Sequence, residues 1–161
     1  MNLISESPDT PFHKRHGRYR RRPSTSFWGR LATGVRPIRR TTALPSGPSS
    51  PSVARAFVRD VLSGWGLTEL EADACLVASE LVTNGLRHGG GAESITLTAN
   101  NRYLQVAVAD RVAMRSPRRL YQDLTAEGGR GIALVEAVAD TWGTTRPRAR
   151  QGKAVWCKLK L

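Results

Sequence analysis

The chain has 161 residues, a formal net charge of +12 and two cysteines. That length suits one domain with a sizeable core plus an appendage. No run approaches the ~20 apolar residues of a membrane span, and no apolar stretch of a signal peptide opens the sequence; a cytoplasmic protein without a membrane partner is expected.

The charge is unevenly placed. Residues 1–40 hold ten of the 25 Lys/Arg and two of the 13 Asp/Glu, so +8 of the +12 lies there. Lys14-Arg15, Arg20-Arg21-Arg22 and Arg39-Arg40 are its clusters, set among prolines and serines with few aliphatic residues. Such a segment buries too little apolar surface to offset the entropy of ordering, so residues 1–40 are expected to form a disordered basic arm. It reads either as a non-specific grip on nucleic acid or as a solvated tail. The tail is preferred, because Tyr19, Phe27 and Trp28 are too few for a platform that stacks single-stranded bases.

The globular domain is expected over residues 41–161. Thr41–Leu44 can form a short edge strand, closed by Pro45-Ser46-Gly47-Pro48. Ser50-Pro51-Ser52 reads as a helix start, proline being tolerated in the first turn. Val53, Phe57, Val58, Val61, Leu62 and Trp65 form the apolar face of this first helix, which Gly64-Trp65-Gly66 ends. A second helix is predicted from Thr68 or Glu69 to His88, packed through Leu70, Ala74, Leu76, Val77, Leu81, Val82 and Leu86. Its start, Thr68-Glu69-Leu70-Glu71, resembles a capping box. Cys75 in this helix and Cys157 near the C-terminus lie in apolar periodic segments without metal-ligand spacing, and read as small buried apolar residues.

Period-2 alternation follows in Ser94–Ala99 and Tyr103–Ala109, on either side of Asn100-Asn101-Arg102, and predicts a β-hairpin. Residues 111–129 show no periodicity and read as a long functional loop. Ile132, Leu134, Val135, Val138 and Ala139 define a third helix. Thr141–Thr144 and Ala154–Leu159 are the closing strands, with Arg146–Lys153 as the turn between them. The order helix, helix, hairpin, loop, helix, hairpin predicts an α+β, two-layer sandwich: a mixed, mostly antiparallel sheet covered on one face by about three helices.

Three features carry chemistry. Glu80, Asn84 and His88 recur every fourth residue, which stacks a carboxylate, a carboxamide and an imidazole along one helical stripe. Three glycines follow, ending the helix and allowing close backbone approach. Gly128-Gly129-Arg130-Gly131 precedes the third helix, where exposed N–H groups and the positive dipole end favour phosphate. Asp110, at the end of the second hairpin strand, can accept a hydrogen bond from an exocyclic amine. Each alone has an ordinary alternative: a solvated helix face, a flexible loop end, an aspartate that starts a turn.

In this fixed order, Glu-x-x-x-Asn on a helix, Asp at a strand end and Gly-x-Gly before a later helix resemble the N, G1 and G2 boxes of the histidine-kinase/Hsp90-like (GHKL) ATPase fold. Ala78-Ser79-Glu80-Leu81-Val82-Thr83-Asn84 and Gly129-Arg130-Gly131-Ile132-Ala133-Leu134-Val135 are most similar to its compact bacterial branch, the SpoIIAB/RsbW-like anti-sigma regulatory factors. The likeness covers residues 41–161 and implies a Bergerat-type domain that binds ATP and Mg²⁺. It implies that Asn84 is the metal ligand and that Glu80 is the general base of a serine/threonine protein kinase. Arg87 and His88 would flank the nucleotide, Asp110 would take the adenine amine, and Pro117–Gly131 would be a lid bringing Gly129, Arg130 and Gly131 to the phosphates. The implied partners are a sigma factor, an antagonist protein, or both, with homodimerisation possible by the same likeness. One position departs from the pattern. Where the branch has glycine two residues after the aspartate, this chain has Val112, a β-branched residue that disfavours positive φ. The alternative function is therefore a GHKL-fold regulator that binds protein partners with weak or absent catalysis.

Overall fold

The computed structural model describes residues 10–13, 37–88, 90–111, 130–145 and 152–161. Strands β1 (Thr10–His13), β2 (Ile38–Ala43), β3 (Ala92–Ala99), β4 (Tyr103–Asp110), β5 (Thr141–Thr145) and β6 (Lys153–Lys160) form one sheet in the order β1-β5-β6-β4-β3-β2. Every pairing among the described strands is antiparallel. Helices α1 (Ser50–Trp65), α2 (Glu71–His88) and α3 (Arg130–Val138) cover one face. Helix α2 lies over β3, β4 and β6, while α1 and α3 pack against α2. This is the expected two-layer α+β sandwich.

Period-2 alternation decides which side chains meet the helices. Ile95, Leu97 and Ala99 of β3, Leu104, Val106 and Val108 of β4, and Val155, Cys157 and Leu159 of β6 are buried together. Helix α1 supplies Ala54, Val58, Val61 and Leu62 to that core, and α2 supplies Ala74, Val77, Ala78, Leu81 and Val82. Both cysteines belong to it, and burial pushes both thiols up from their ordinary range, so neither presents a thiolate at neutral pH. No helix of the described residues is long and apolar enough to cross a membrane.

Boundaries differ from the sequence reading in several places. The strand expected at 41–44 runs from Ile38 to Ala43, and Thr10–His13 pairs with β5, so both sheet edges draw on the segment expected to be arm. The start expected for α2 is instead a 3₁₀ turn, Thr68–Leu70. Helix α2 itself begins at Glu71, directly after this turn. Helix α3 begins at Arg130, which places Arg130 and Gly131 inside its first turn rather than ahead of it.

The end of α1 follows the sequence. Gly66 takes φ 71°, and its N–H reaches back to the carbonyls of Leu62 and Ser63. Only a residue without a Cβ adopts that left-handed cap at no steric cost.

Candidate functional site

Helix α2 ends at His88, and the chain turns through Gly90 and Gly91, at φ 65° and 115°, directly into β3. The turn is tight because Gly85 lets the strand press against the helix. A Cβ at Gly85 would stand 3.2 Å from the Ala92 Cβ. The Gly91 N–H also donates to the Gly85 carbonyl at 3.1 Å. The last turns of α2 are thereby fixed against the first residue of β3.

Ala92 in turn pairs with Asp110, the last residue of β4, and Asp110 pairs with Lys153, the first residue of β6. A register shift between Ala92 and Ser94 leaves Glu93 as the extra residue, where its carboxylate meets Arg111 at 3.0 Å on the surface. Helix end, strand start, strand end and strand start thus converge at one end of the sheet, on the face that the helices cover.

On this frame Glu80, Asn84 and His88 occupy successive turns of α2, as the spacing predicts. Glu80 and Asn84 are half-buried, and Arg87 and His88 are exposed at the helix end. The Asn84 amide nitrogen is fully buried and has no hydrogen-bond partner. An orphan buried amide costs about 1–3 kcal/mol of stability. Native interiors seldom hold one without a compensating role in binding or catalysis. A carboxamide presents its oxygen or its nitrogen by turning about χ2, so the position serves a cation or an anionic ligand equally well.

The Asp110 side chain continues the buried row Leu104, Val106 and Val108 on the inner face of β4, and the residue is 4 % exposed. Its Oδ2 lies 2.9 Å from the Lys153 Nζ, and Lys153 is also 4 % exposed. Sequence reading missed Lys153 by assigning it to the turn before β6. The signal was present: Lys153, Val155, Cys157 and Leu159 share one parity, which places the lysine on the buried face. Gly152 was missed too. It sits at φ 116°, and a Cβ on it would lie 2.2 Å from the Asp110 carbonyl oxygen.

The backbone of Arg130 and Gly131 opens α3, which packs against α2. Gly129, Val112, the rest of the expected lid over Pro117–Gly131 and most of the basic arm lie outside the described residues. Among the described residues no cluster of three or more His, Cys, Asp or Glu is placed to hold a metal ion. A magnesium site built on one asparagine and a nucleotide's own phosphates needs no such cluster, and the buried Asn84 amide fits it.

Comparison with curated proteins gives no match. The model of one family, described as histidine kinase-like ATPase domain, matches residues 44–159, a span that holds α1, α2, β3, β4, α3, β5 and nearly all of β6. The inner antiparallel strands with the helices on one face, the polar stripe on the central helix and the buried aspartate at the strand end all fall within that match, and the chain belongs to the histidine kinase-like ATPase domain family.

Proposed function

We propose that the protein is an ATP-binding regulator with Mg²⁺-dependent serine/threonine kinase activity toward an antagonist protein, like the anti-sigma regulatory factors its sequence resembles. The observation that carries the reading is the buried, partnerless amide of Asn84, one turn beyond the Glu80 carboxylate on the same helix. Bound Mg-ATP would supply a transferable phosphoryl group whose charge the cation partly neutralises. Asn84 would hold the cation through its carboxamide oxygen. Asp110 would accept the hydrogen bond of the purine amine, with Arg87, His88, Gly129, Arg130 and Gly131 on the phosphate side. Glu80 accepts the proton of an attacking serine or threonine hydroxyl; positioning and charge neutralisation do the rest.

The partner in this reading is a sigma factor, an antagonist of one, or both, and a second copy of the chain is a further candidate. The basic arm adds a possible contact with nucleic acid. Val112 supports a second reading, in which the same fold binds partners without phosphotransfer.

Glu80→Gln separates the two. In the kinase reading it lowers transfer of labelled γ-phosphate to a protein serine or threonine by about 10²–10⁴-fold while Mg-ATP affinity changes little. Undiminished transfer by the variant contradicts the role given to Glu80. No transfer by the wild-type chain to any sigma-factor antagonist offered to it favours the second reading.

A further inference from the structure

The Asp110–Lys153 ion pair is the part of the site that the sequence did not announce. Among the described residues Lys153 is the buried cation; the other charged groups on elements packed against β4 (Glu71, Asp73, Glu80, Arg87 and His88 on α2, Glu93 on β3, Lys158 and Lys160 on β6) are half-exposed or exposed. Two independent features hold it in place. Cross-strand register sets Lys153 directly opposite Asp110. Gly152 lets the β6 backbone close onto the Asp110 carbonyl, where any side chain would collide. Taking two charges out of water is costly, and apolar residues of similar volume are often as stabilising or more so. The pair is therefore a poor device for stability alone, and it stands where the base of a nucleotide is expected.

Resting on the nucleotide-binding reading, we propose that Lys153 is the positioning residue for base recognition: it fixes Asp110 as an ionised acceptor that selects a purine with an amine rather than a carbonyl at C6. A carboxylate accepts at both oxygens, so engagement of Oδ2 by the ammonium orients the group while leaving it an acceptor. An ionised carboxylate accepts from the adenine amine and repels the carbonyl oxygen that guanine presents at the same place. Without the ammonium, so buried a carboxyl group favours its neutral form. The neutral acid donates as well as accepts, and a carbonyl then becomes an acceptable partner.

The test is calorimetric titration of the full chain with Mg-ATP and Mg-GTP, for wild type, Lys153→Met and Lys153→Arg. The expected result is a wild-type preference for ATP that falls by about tenfold in Lys153→Met, because one charge-assisted contact changes character. Lys153→Arg, which keeps the cation, restores it. A merely structural lysine would lower the affinity for both nucleotides together and leave their ratio unchanged, and that outcome overturns the proposal. If Lys153→Met does not fold, Lys153→Gln gives the same readout with a neutral donor in place of the cation. Wild-type binding of neither nucleotide, or of both equally, removes the nucleotide or base reading itself and the proposal with it. A wild-type preference kept intact by the neutral variant overturns the proposal alone.

Discussion

Asn84→Ala lowers the affinity of the full chain for Mg-ATP by about a hundredfold while leaving its thermal midpoint unchanged or slightly raised. The two effects diverge because of where the amide sits. Its nitrogen is buried with no partner, so truncation to alanine removes a desolvated polar atom and breaks no hydrogen bond at that nitrogen. Relief of an orphan of this kind is worth about 1–3 kcal/mol, which offsets the packing lost with the side chain. A residue kept for folding would behave the opposite way, with a lower midpoint and intact binding. Calorimetry and a circular-dichroism melt on the same preparation give both numbers. Unchanged Mg-ATP affinity in the variant contradicts the metal role.

Gly152→Ala carries the largest expected cost in stability. At φ 116° an L side chain is strained whatever space surrounds it, and the alanine Cβ would stand 2.2 Å from the Asp110 carbonyl oxygen. That oxygen belongs to a sheet backbone held by the Asp110–Lys153 register, so it cannot yield without parting β4 from β6. Backbone strain of this type costs about 1–3 kcal/mol, and forcing the strands apart raises the total to roughly 3 kcal/mol or more. In a chain of this size that lowers the thermal midpoint by roughly 6–12 °C. The displaced strand end also carries Asp110, so nucleotide affinity falls in parallel. A wild-type midpoint in Gly152→Ala would show that the close approach at this end of the sheet is not required.

The sequence made the sandwich legible because its helices and inner strands bury one face each, and burial leaves a period. The first helix, the hairpin and the closing strands appear within a few residues of where the apolar spacing puts them. The sheet edges did not show, for a physical reason. In β2, Ile38, Arg40 and Thr42 oppose Ala99, Leu97 and Ile95 on the helix-covered face, yet Arg40 stays exposed at the rim, so no alternation of apolar and polar residues marks the strand. Four residues at Thr10–His13 are too few to show a period at all.

The site divides along the same line. Glu80, Asn84 and His88 were visible as a helical stripe, and Asp110 as a charge at the end of an alternating run. Lys153 and Gly152 lie in the stretch Arg146–Lys153 that reads as the turn between the closing strands. Only the pairing of β4 with β6 shows that one is the buried partner of Asp110 and the other the reason the strands close there.

In the proposed reading, the last turns of α2, the end of β4 and the start of α3 build a magnesium-dependent ATP site. Titrating ATP into the full chain, with Mg²⁺ and then with the metal chelated, tests it most directly. Saturable binding is expected in Mg²⁺, weakening by about tenfold or more when the metal is removed, since the cation would offset the phosphate charge and tie it to Asn84. A folded protein that binds no ATP at millimolar concentration, or binds it equally well without Mg²⁺, would overturn that reading.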